Sequence, residues 1–270
     1  MQRTYVVTGA ASGIGAATAR LLRDRGARVI SSDLHDADVV ADLSTAEGRT
    51  ELVDGVTDLC GGRIDAVIAN AGGGPPETSL SLNFFGAVAT LDGLRPLLES
   101  SPAPRAVAVS SIAALRPPEP RLVEACLRMD ESAALATAKT LFDAARETGS
   151  GPLPDSVHPA LVLYGNAKHA LQRWCRSAAV QRKWAGAGIP LNVVALGFYD
   201  TPSAAYVLSD PDSRAAMARM VPLHGAFPGR PVEAAALLAW LASPENSQLT
   251  GQILFADGGF ECSAREGPPA

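Results

Sequence analysis

The sequence is short of aromatic residues and of charge, and these shortages narrow the kinds of protein that it can encode. Aromatic side chains make up 5% of the 270 residues and charged ones 19%, whereas 47% are hydrophobic. So high an apolar fraction with so little charge excludes a disordered chain. Alanine, glycine, leucine and valine are plentiful, which is typical of helices packed closely on a sheet.

An excess of basic residues is also missing. The formal net charge of −5 argues against a general affinity for nucleic acid or anionic membranes, and no local basic patch is visible. No apolar run approaches the ~20 residues of a membrane span. Residues 1–7 enter a predicted strand without the apolar core of a signal peptide. We therefore expect a cytoplasmic protein with no nucleic-acid partner and no membrane partner.

Cysteine is scarce and scattered. The thiols are Cys60, Cys126, Cys175 and Cys262, which form neither a CxxC pair nor a Cys/His cluster. This pattern gives no support to a zinc site or a disulfide framework. We expect buried or incidental thiols and no metal site.

A glycine-rich segment follows the first predicted strand, at residues 5–7, and precedes a helical stretch through Leu22. Glycines allow a tight turn and let a pyrophosphate approach main-chain N–H groups at a helix start, where the dipole favours an anion. A turn without a ligand is the alternative, but both flanks match a dinucleotide-binding unit. The candidate cofactor contacts in this turn are Gly9, Ser12, Gly13, Ile14 and Gly15.

A carboxylate closes the next predicted strand, at residues 28–32. Asp33 lies about 20 residues beyond the glycines, where the ribose hydroxyls of an adenosine are expected. It would accept hydrogen bonds from those hydroxyls and repel a 2′-phosphate, and neither the glycine turn nor Leu34 supplies an arginine to compensate. The sequence therefore predicts NAD rather than NADP. For Asp33 alone, a solvated acid at a strand end is the alternative.

Residues 39–43 form a further short strand candidate. Ser44 or Thr45 can cap the helix that runs from there toward Cys60. Asp42 is then a candidate contact to the adenine amino group, with Leu43 beside it.

The next apolar strand, residues 66–69, ends in Asn70, Ala71 and Gly72. Small residues at this point would let the backbone lie close to a cofactor. A flexible turn is the alternative.

Tyr164 and Lys168 are four residues apart, so on a helix they project from the same face. An ammonium beside a phenol favours the phenolate and suits the phenol to acid–base work near neutral pH. Such pairs also arise by chance, and an amphipathic helix with an extended lysine is the alternative.

Three motifs resemble, in order and approximate spacing, the short-chain dehydrogenase/reductase family. They are TGxxxGIG from Thr8 to Gly15, NAG from Asn70 to Gly72, and Tyr164-x-x-x-Lys168. The resemblance covers nearly the whole chain. It implies an α/β fold with one domain, a Rossmann-like doubly wound parallel sheet in three layers. Residues 36–49 resemble the bacterial 3α-hydroxysteroid dehydrogenase/carbonyl reductase branch.

The resemblance also implies four catalytic residues. Asn83 opens an NxxG sequence, and a predicted strand ends in Ser110 and Ser111, of which Ser111 is the closer match. In the implied tetrad Tyr164 exchanges a proton with the substrate oxygen, and Lys168 lowers the tyrosine pKa and bonds the nicotinamide ribose. Ser111 polarises the carbonyl and Asn83 holds a water in a proton relay. The cofactor supplies the hydride.

The interval between Ser111 and Tyr164 is longer than in many family members. Residues about 116–155 are therefore predicted to form a helical insertion, with helices over 122–129 and 131–146. The resemblance associates an insert at this place with dimers. We expect a homodimer, with a homotetramer as the alternative and a monomeric flap over the site as a further interpretation.

After the predicted strand at residues 191–195, Leu196 replaces the proline of the family's Pro-Gly pair. Leucine removes a fixed φ and leaves a free N–H, which would loosen or reshape the turn. Gly197, Tyr199 and Thr201 are candidate contacts to the carboxamide. For Tyr199, facing the substrate is the alternative.

The remaining segments complete the predicted domain. Residues about 200–223 carry apolar side chains where the family places a substrate lid, and core packing is the competing interpretation. Residues 232–241 are predicted to be helical. Residues 264–270 have little core-forming content and are predicted to be disordered.

The implied activity is the NAD(H)-dependent interconversion of a secondary alcohol and a ketone, on a hydroxysteroid or another bulky apolar carbonyl compound. Reduction of a biosynthetic ketone would use the same tetrad. A non-catalytic NAD-binding sensor or scaffold is the alternative from another class. Enoyl reduction fits less well because related enoyl reductases space Tyr and Lys more widely, and sugar-nucleotide epimerases need a larger substrate domain.

Overall fold

A computed structural model describes residues 2–148 and 158–266 of the chain. Seven parallel strands form one sheet in the order β3-β2-β1-β4-β5-β6-β7. The strand order reverses between β1 and β4, which makes their carboxyl ends the topological switch point where ligands bind in open α/β sheets. The strands are β1 (Thr4–Thr8), β2 (Arg28–Asp33), β3 (Val39–Val40), β4 (Ala66–Ala69), β5 (Arg105–Ser111), β6 (Leu191–Leu196) and β7 (Ile253–Ala256).

Helices connect these strands across both faces of the sheet. Within the described residues none is both long and apolar enough to cross a membrane. The α-helices are α1 (Gly13–Asp24), α2 (Ala46–Cys60), α3 (Pro76–Leu80), α4 (Ala87–Leu98), α5 (Pro120–Leu127), α6 (Glu131–Thr148), α7 (His158–Ala179), α8 (Ala205–Leu208), α9 (Pro211–Arg219), α10 (Pro231–Leu241) and α11 (Phe260–Glu266).

Two separate apolar cores lie on the two faces of the sheet. Successive residues of a strand point to opposite faces, so Val6 joins one core while Val7 joins the other. Leu52 of α2 and Leu171 of α7 fill the first core, and Leu238 of α10 fills the second. The predicted fold class, a single Rossmann-like domain with a doubly wound parallel sheet in three layers, is confirmed.

Most predicted elements are present with small shifts of their ends. Helices α5 and α6 occupy the predicted insertion, and α10 matches the predicted helix at 232–241. The strand predicted at 39–43 is shorter, because β3 is an edge strand that pairs with β2 through Val39 and Val40 alone. The prediction of disorder is wrong for residues 264–266, which end α11. Residues 149–157, at the end of the predicted insertion, and 267–270 lie outside the described part.

The cysteines are free thiols, as predicted: Cys60, Cys126 and Cys175 are buried, and Cys262 is exposed. Among the described residues no group of three or more His, Cys, Asp or Glu side chains is placed to hold a metal ion.

Candidate active site

The glycine turn after β1 leads into an uncapped helix start. Gly9 and Gly13 adopt φ of +67° and +52°, in the left-handed region that favours glycine. A Cβ on Gly15 would lie 1.8 Å from the carbonyl oxygen of Gly9, so this close approach needs glycine. Ser12 precedes α1 without a side-chain cap, and the first turn holds no acidic residue. The first-turn N–H groups, including that of Ile14, thus suit an anion.

A polar contact joins this turn to the loop after β4. Thr8 Oγ1 accepts from the backbone N–H groups of Asn70 (3.1 Å) and Ala71 (3.0 Å). Asn70 Nδ2 donates to the carbonyl oxygens of Thr8 (3.0 Å) and Gly9 (3.3 Å). The two loops at the switch point are therefore held as one wall.

Asp33, at the end of β2, is fixed against the glycine turn. Its Oδ2 accepts from the N–H of Ala11 at 2.8 Å, and its Oδ1 accepts from the N–H of Leu34 at 2.7 Å. The carboxylate thus lies beside the glycine turn, where a contact to an adenosine ribose is expected.

Asp42 and Leu43 precede α2 in different settings. Asp42 is exposed, and its Oδ1 accepts from the N–H (2.9 Å) and hydroxyl (2.7 Å) of Ser44. The Leu43 side chain is buried in the core, which leaves its backbone for any contact with a ligand. Thr45 caps α2 by accepting from Gly48 N–H at 3.0 Å, which resolves the choice between Ser44 and Thr45.

Asn83 lies in a turn of π-helix at Ser81–Gly86. Its Nδ2 donates to the carbonyl oxygens of Ser79 (2.7 Å) and Gly73 (2.9 Å), and its Oδ1 accepts from Gly73 N–H (3.0 Å). A π-helical turn shifts the register of side chains and is frequent at functional sites. The NxxG sequence that marks Asn83 gives no sign of this π-helical turn.

Gly72 is the point where three segments meet. A Cβ at this residue would lie 2.8 Å from Asn83 Oδ1 and 3.2 Å from Lys168 Nζ. The loop after β4, the π-helical turn and helix α7 therefore converge. Any side chain larger than hydrogen at Gly72 would fill the space between these atoms. A glycine here therefore lets a flat ligand approach the backbone closely.

Lys168 is buried, with 2% of its surface exposed, and its Nζ donates to the carbonyl oxygen of Val109 at 2.8 Å. The same nitrogen lies 5.6 Å from the centroid of the Tyr164 ring. Burial lowers the pKa of Lys168 to about 7, although the nearby Cys175 thiol opposes that shift. The predicted pair is thus assembled on one face of α7, around an ammonium that loses its proton easily.

The two serines at the end of β5 have different surroundings. Ser110 is 2% exposed, and its hydroxyl accepts from Gln172 Nε2 (2.9 Å) and donates to the backbone oxygen of Lys168 (3.3 Å). Ser111 is half-buried, and its Oγ accepts from Ala113 N–H (3.2 Å) at the start of a 3₁₀ turn. Accepting that bond leaves the Ser111 hydroxyl able to donate. This arrangement favours Ser111 as the polarising group and Ser110 as a packing residue.

Leu196 lies within strand β6. It is 6% exposed and extends β6 by one residue, paired with Ser111 of β5 and Ala256 of β7. Because leucine has an N–H and a strand-forming φ, the sheet continues to the edge of Gly197. A Cβ on Gly197 would lie 2.7 Å from Asp257 Cα, so this glycine turns the chain at a crowded point.

Beyond Gly197 the chain returns to the glycine turn. A Cβ on Gly13 would lie 3.3 Å from Thr201 Cγ2, so Thr201 lies beside the start of α1. The Tyr199 hydroxyl donates to the carbonyl oxygen of Ala256 at 3.2 Å, and burial, reinforced by Glu233 and Asp257, raises its pKa. Tyr199 therefore packs against β7, which favours a backbone contact to a cofactor over a side-chain contact to the substrate.

Sequence reasoning missed the face of α7 that touches the chain after Ser111. A Cβ on Gly165 would lie 2.7 Å from the carbonyl oxygen of Ala113, and His169 Nδ1 lies 3.2 Å from that of Ala114. A glycine inside a long helix is the one available signal of such close packing.

Comparison with known proteins agrees with this geometry. A family model described as short chain dehydrogenase matches residues 3–122, and one described as Enoyl-(Acyl carrier protein) reductase matches residues 154–261. The interval between these matches holds α6 and the second half of α5. Most of the predicted insertion, residues 123–153, thus falls where neither family model matches.

Relatives match over almost their full length. The 3-alpha-hydroxysteroid dehydrogenase/carbonyl reductase of Comamonas testosteroni is 33% identical, over 96% of this chain and 97% of its own. The cis-4-hydroxycyclohexanecarboxylate dehydrogenase of Sinomonas cyclohexanicum is also 33% identical, over 96% of each chain. The 3-alpha-hydroxysteroid dehydrogenase of Pseudomonas sp. B-0831, solved in complex with NADH, superposes with a TM-score of 0.85 and 36% identity, covering 98% of this chain and 100% of its own.

The motifs, the switch-point site and these near full-length matches agree, and they support a nicotinamide cofactor at this site. The chain belongs to the short-chain dehydrogenase/reductase family, next to the bacterial 3α-hydroxysteroid dehydrogenases/carbonyl reductases.

Proposed function

We propose that the protein is an NAD(H)-dependent alcohol dehydrogenase and carbonyl reductase with Tyr164 as its general acid and base. The observation that carries this proposal is that Lys168 Nζ and Asn83 Oδ1 both lie close to Gly72. A Cβ at this glycine would lie within 3.2 Å of each atom. The same lysine lies against the Tyr164 ring. A buried ammonium costs stability. Its position beside a phenol suits acid–base chemistry, which accounts for its being there.

In the proposed reaction the Tyr164 hydroxyl gives its proton to the substrate oxygen during reduction and takes it back during oxidation. The Lys168 ammonium stabilises the phenolate that remains. The Ser111 hydroxyl donates to the substrate oxygen as charge develops there. The nicotinamide cofactor supplies or accepts the hydride when bound.

Asn83 also holds the loop after β4 in position, a role that the family pattern alone does not imply. Its amide bonds both polar atoms of the Gly73 backbone, so it fixes the loop that begins at Gly72. A water in the proposed proton relay would be held by the remaining lone pair of Oδ1 or by a nearby backbone carbonyl. Asn83 thus shapes the floor of the site as well as the relay.

The cofactor form follows from Asp33. Its carboxylate is anchored beside the glycine turn by the N–H groups of Ala11 and Leu34. Two acceptor oxygens held there bond ribose hydroxyls and repel a 2′-phosphate. We therefore propose NAD rather than NADP, with the contacts of the glycine turn, Asn70 to Gly72 and residues 197–201 completing the binding site.

The substrate class is proposed from what the relatives share. Hydroxysteroids and cis-4-hydroxycyclohexanecarboxylate both carry a secondary hydroxyl on a saturated ring. The proposed lid, at about 200–223, contributes α8 and α9. Val207 of α8 and Met217 of α9 are buried, and Met220 and Leu223 are exposed. An alicyclic secondary alcohol or ketone fits this apolar cover.

A substrate panel tests the proposal. Purified protein is assayed with a 3-ketosteroid, 4-oxocyclohexanecarboxylate, an acyclic ketone and an enoyl thioester, each with NADH and with NADPH. We expect turnover of at least one cyclic ketone, with NADH preferred by more than ~10-fold, a difference of ~1.4 kcal/mol. Preference for NADPH would overturn the assignment of Asp33, and NADH binding without any turnover would favour a sensor.

A further inference from the structure

Asn166 lies between the two residues of the proposed acid–base pair and is 5% exposed. Its Oδ1 accepts from the backbone N–H of Glu119 at 2.7 Å. Its Nδ2 donates to the carbonyl oxygen of Val162, one turn earlier on α7, at 2.9 Å. The second bond orients the amide along its own helix, so that the oxygen points at Glu119.

Glu119 marks the start of the inserted helices. It precedes α5 as its N-cap, and its own Oε1 accepts from Arg121 N–H at 3.2 Å. The hydrogen bond from the Glu119 N–H to Asn166 therefore joins α7 to the N-cap of the first inserted helix. Together with the contacts of Gly165 and His169, it holds the chain from the 3₁₀ turn after Ser111 to α5 against the catalytic helix.

We propose that Asn166 is a positioning residue, which fixes Ser111 relative to Tyr164 by holding the connecting chain at Glu119. This inference rests on the proposed function, in which both hydroxyls contact the substrate oxygen. Misplacement of reacting groups by ~1 Å can cost ~100-fold in rate. Apart from Tyr164 and Lys168 on α7, the proposed cofactor contacts come from other loops, so we expect cofactor binding to change little when this bond is lost.

The first test replaces Asn166 by a residue of similar shape that makes no hydrogen bond. We expect Asn166→Leu to lower kcat ~10- to 100-fold while KM for NADH and the Kd of NADH stay within ~2-fold. The matched control is Asn246→Leu. Asn246 is equally buried, accepts from Leu249 N–H (3.1 Å) and donates to the carbonyl oxygen of Leu241 (3.1 Å), away from α7. That variant keeps the wild-type kcat.

The second test removes the other partner of the same bond. Glu119 has φ of −82°, near the value of about −65° that proline fixes, so Glu119→Pro deletes the N–H with little change in this φ. Glu119→Ala also loses the side-chain cap but keeps the N–H, and it is the control. We expect Glu119→Pro to match the loss of Asn166→Leu and Glu119→Ala to stay within ~3-fold of wild type. The double variant should be no slower than either single one, because both remove one bond.

The outcomes separate this inference from the function on which it rests. If Asn166→Leu and Glu119→Pro both keep kcat within ~2-fold while Tyr164→Phe is inactive, the positioning role is wrong and the proposed function stands. Losses that multiply in the double variant, or that appear as weaker NADH binding, also overturn it. If wild type turns over no substrate, or Tyr164→Phe keeps full activity, the proposed function fails and the inference fails with it.

Discussion

The buried ammonium of Lys168 is the most demanding single group in the site. Its Nζ donates to the carbonyl oxygen of Val109, and the buried surroundings disfavour its charge. A cation at this depth is retained at a cost to stability. That cost can be measured through the stability of the protein, without knowing the substrate.

The free energy of unfolding should depend on pH through Lys168. Because its folded pKa of about 7 lies below its ordinary pKa of 10.5, the unfolded chain binds the additional proton between these values. The destabilisation is therefore full below pH 7 and disappears as pH rises toward 10.5. Lys168→Met should be more stable than wild type near pH 7, and this advantage should shrink by at most ~1.4 kcal/mol per pH unit toward pH ~10.

Urea unfolding of the cofactor-free protein at several pH values measures this effect. Lys183→Met is the control, because Lys183 is a surface residue with 41% of its side chain exposed. A Lys168→Met advantage that is the same at every pH would show that burial does not disfavour the charge.

The choice between the two serines can be tested by a matched pair of substitutions. Ser111→Ala removes the proposed donor to the substrate oxygen and should lower kcat by ~10²- to 10³-fold. Ser110→Ala removes the partner of Gln172 and should cost about 1 kcal/mol of stability with a small effect on kcat. Steady-state assays and thermal unfolding of both variants decide the point, and the reverse pattern would exchange the two roles.

At the scale of elements, the inserted helices are tied to the cofactor-binding half by Arg49 of α2. Its guanidinium bonds both carboxylate oxygens of Glu131 on α6, at 2.6 and 2.8 Å, and also reaches the carbonyl oxygens of Leu43 (2.9 Å) and Ser81 (3.0 Å). The Arg49 side chain thus joins the insertion, the chain at Leu43 just before α2, and the π-helical turn. Burial alone would raise the pKa of Glu131, but the bonds from Arg49 and Ser81 lower it overall.

Glu131→Gln should therefore destabilise the protein in a pH-dependent way. A carboxyl with a lowered folded pKa stabilises above its unfolded pKa, and the contribution is lost as pH falls through the folded value. We expect a loss of about 1–3 kcal/mol at pH 7 that narrows below pH ~4, measured by urea unfolding. Asp143→Asn, which breaks an exposed pair with Lys139, should cost less than ~0.5 kcal/mol. Equal losses in both variants would contradict a special role for Arg49.

The elements show why part of the site can be predicted from sequence and part cannot. Gly15 and the spacing of Tyr164 and Lys168 are local requirements of a turn and a helix, so their positions follow from short motifs. The π-helical turn at Asn83 depends on packing between distant segments, and no local pattern specifies it.

Leu196 is a second residue whose local structure depends on distant segments. The loss of the family's proline predicts a turn that is loosened or reshaped, and the structure shows β6 extended through Leu196 by pairing with β5 and β7. The hydrogen bond from the Glu119 N–H to Asn166 Oδ1 joins residues that an insertion separates in the chain. A single sequence does not show that two such residues lie close together in space.

For the whole molecule, we propose a homodimer. Val232, Ala236 and Trp240 follow one another at helical spacing on α10 and are all exposed. The edge strand β7 also leaves each of its four residues partly exposed. An exposed apolar stripe and an open sheet edge are each typical of a surface that another chain covers.

Light scattering coupled to size-exclusion chromatography measures this assembly. We expect twice the 27.9 kDa of one chain for wild type and a single chain for Trp240→Glu. Val180→Glu, at an exposed position (73%) just beyond α7, should leave the mass unchanged. A wild-type monomer or tetramer, or a Trp240→Glu variant that keeps the dimer mass, would contradict the proposal.

The central claim is that Tyr164 exchanges the proton in a reaction whose hydride comes from NADH. Tyr164→Phe keeps the ring beside Lys168 and removes the hydroxyl alone, so it tests the claim most directly. With a cyclic ketone that wild type reduces, kcat of the variant should fall by ~10²- to 10⁴-fold while the Kd of NADH stays within ~3-fold. Retention of kcat within ~10-fold, with NADH still bound, would show that another group supplies the proton.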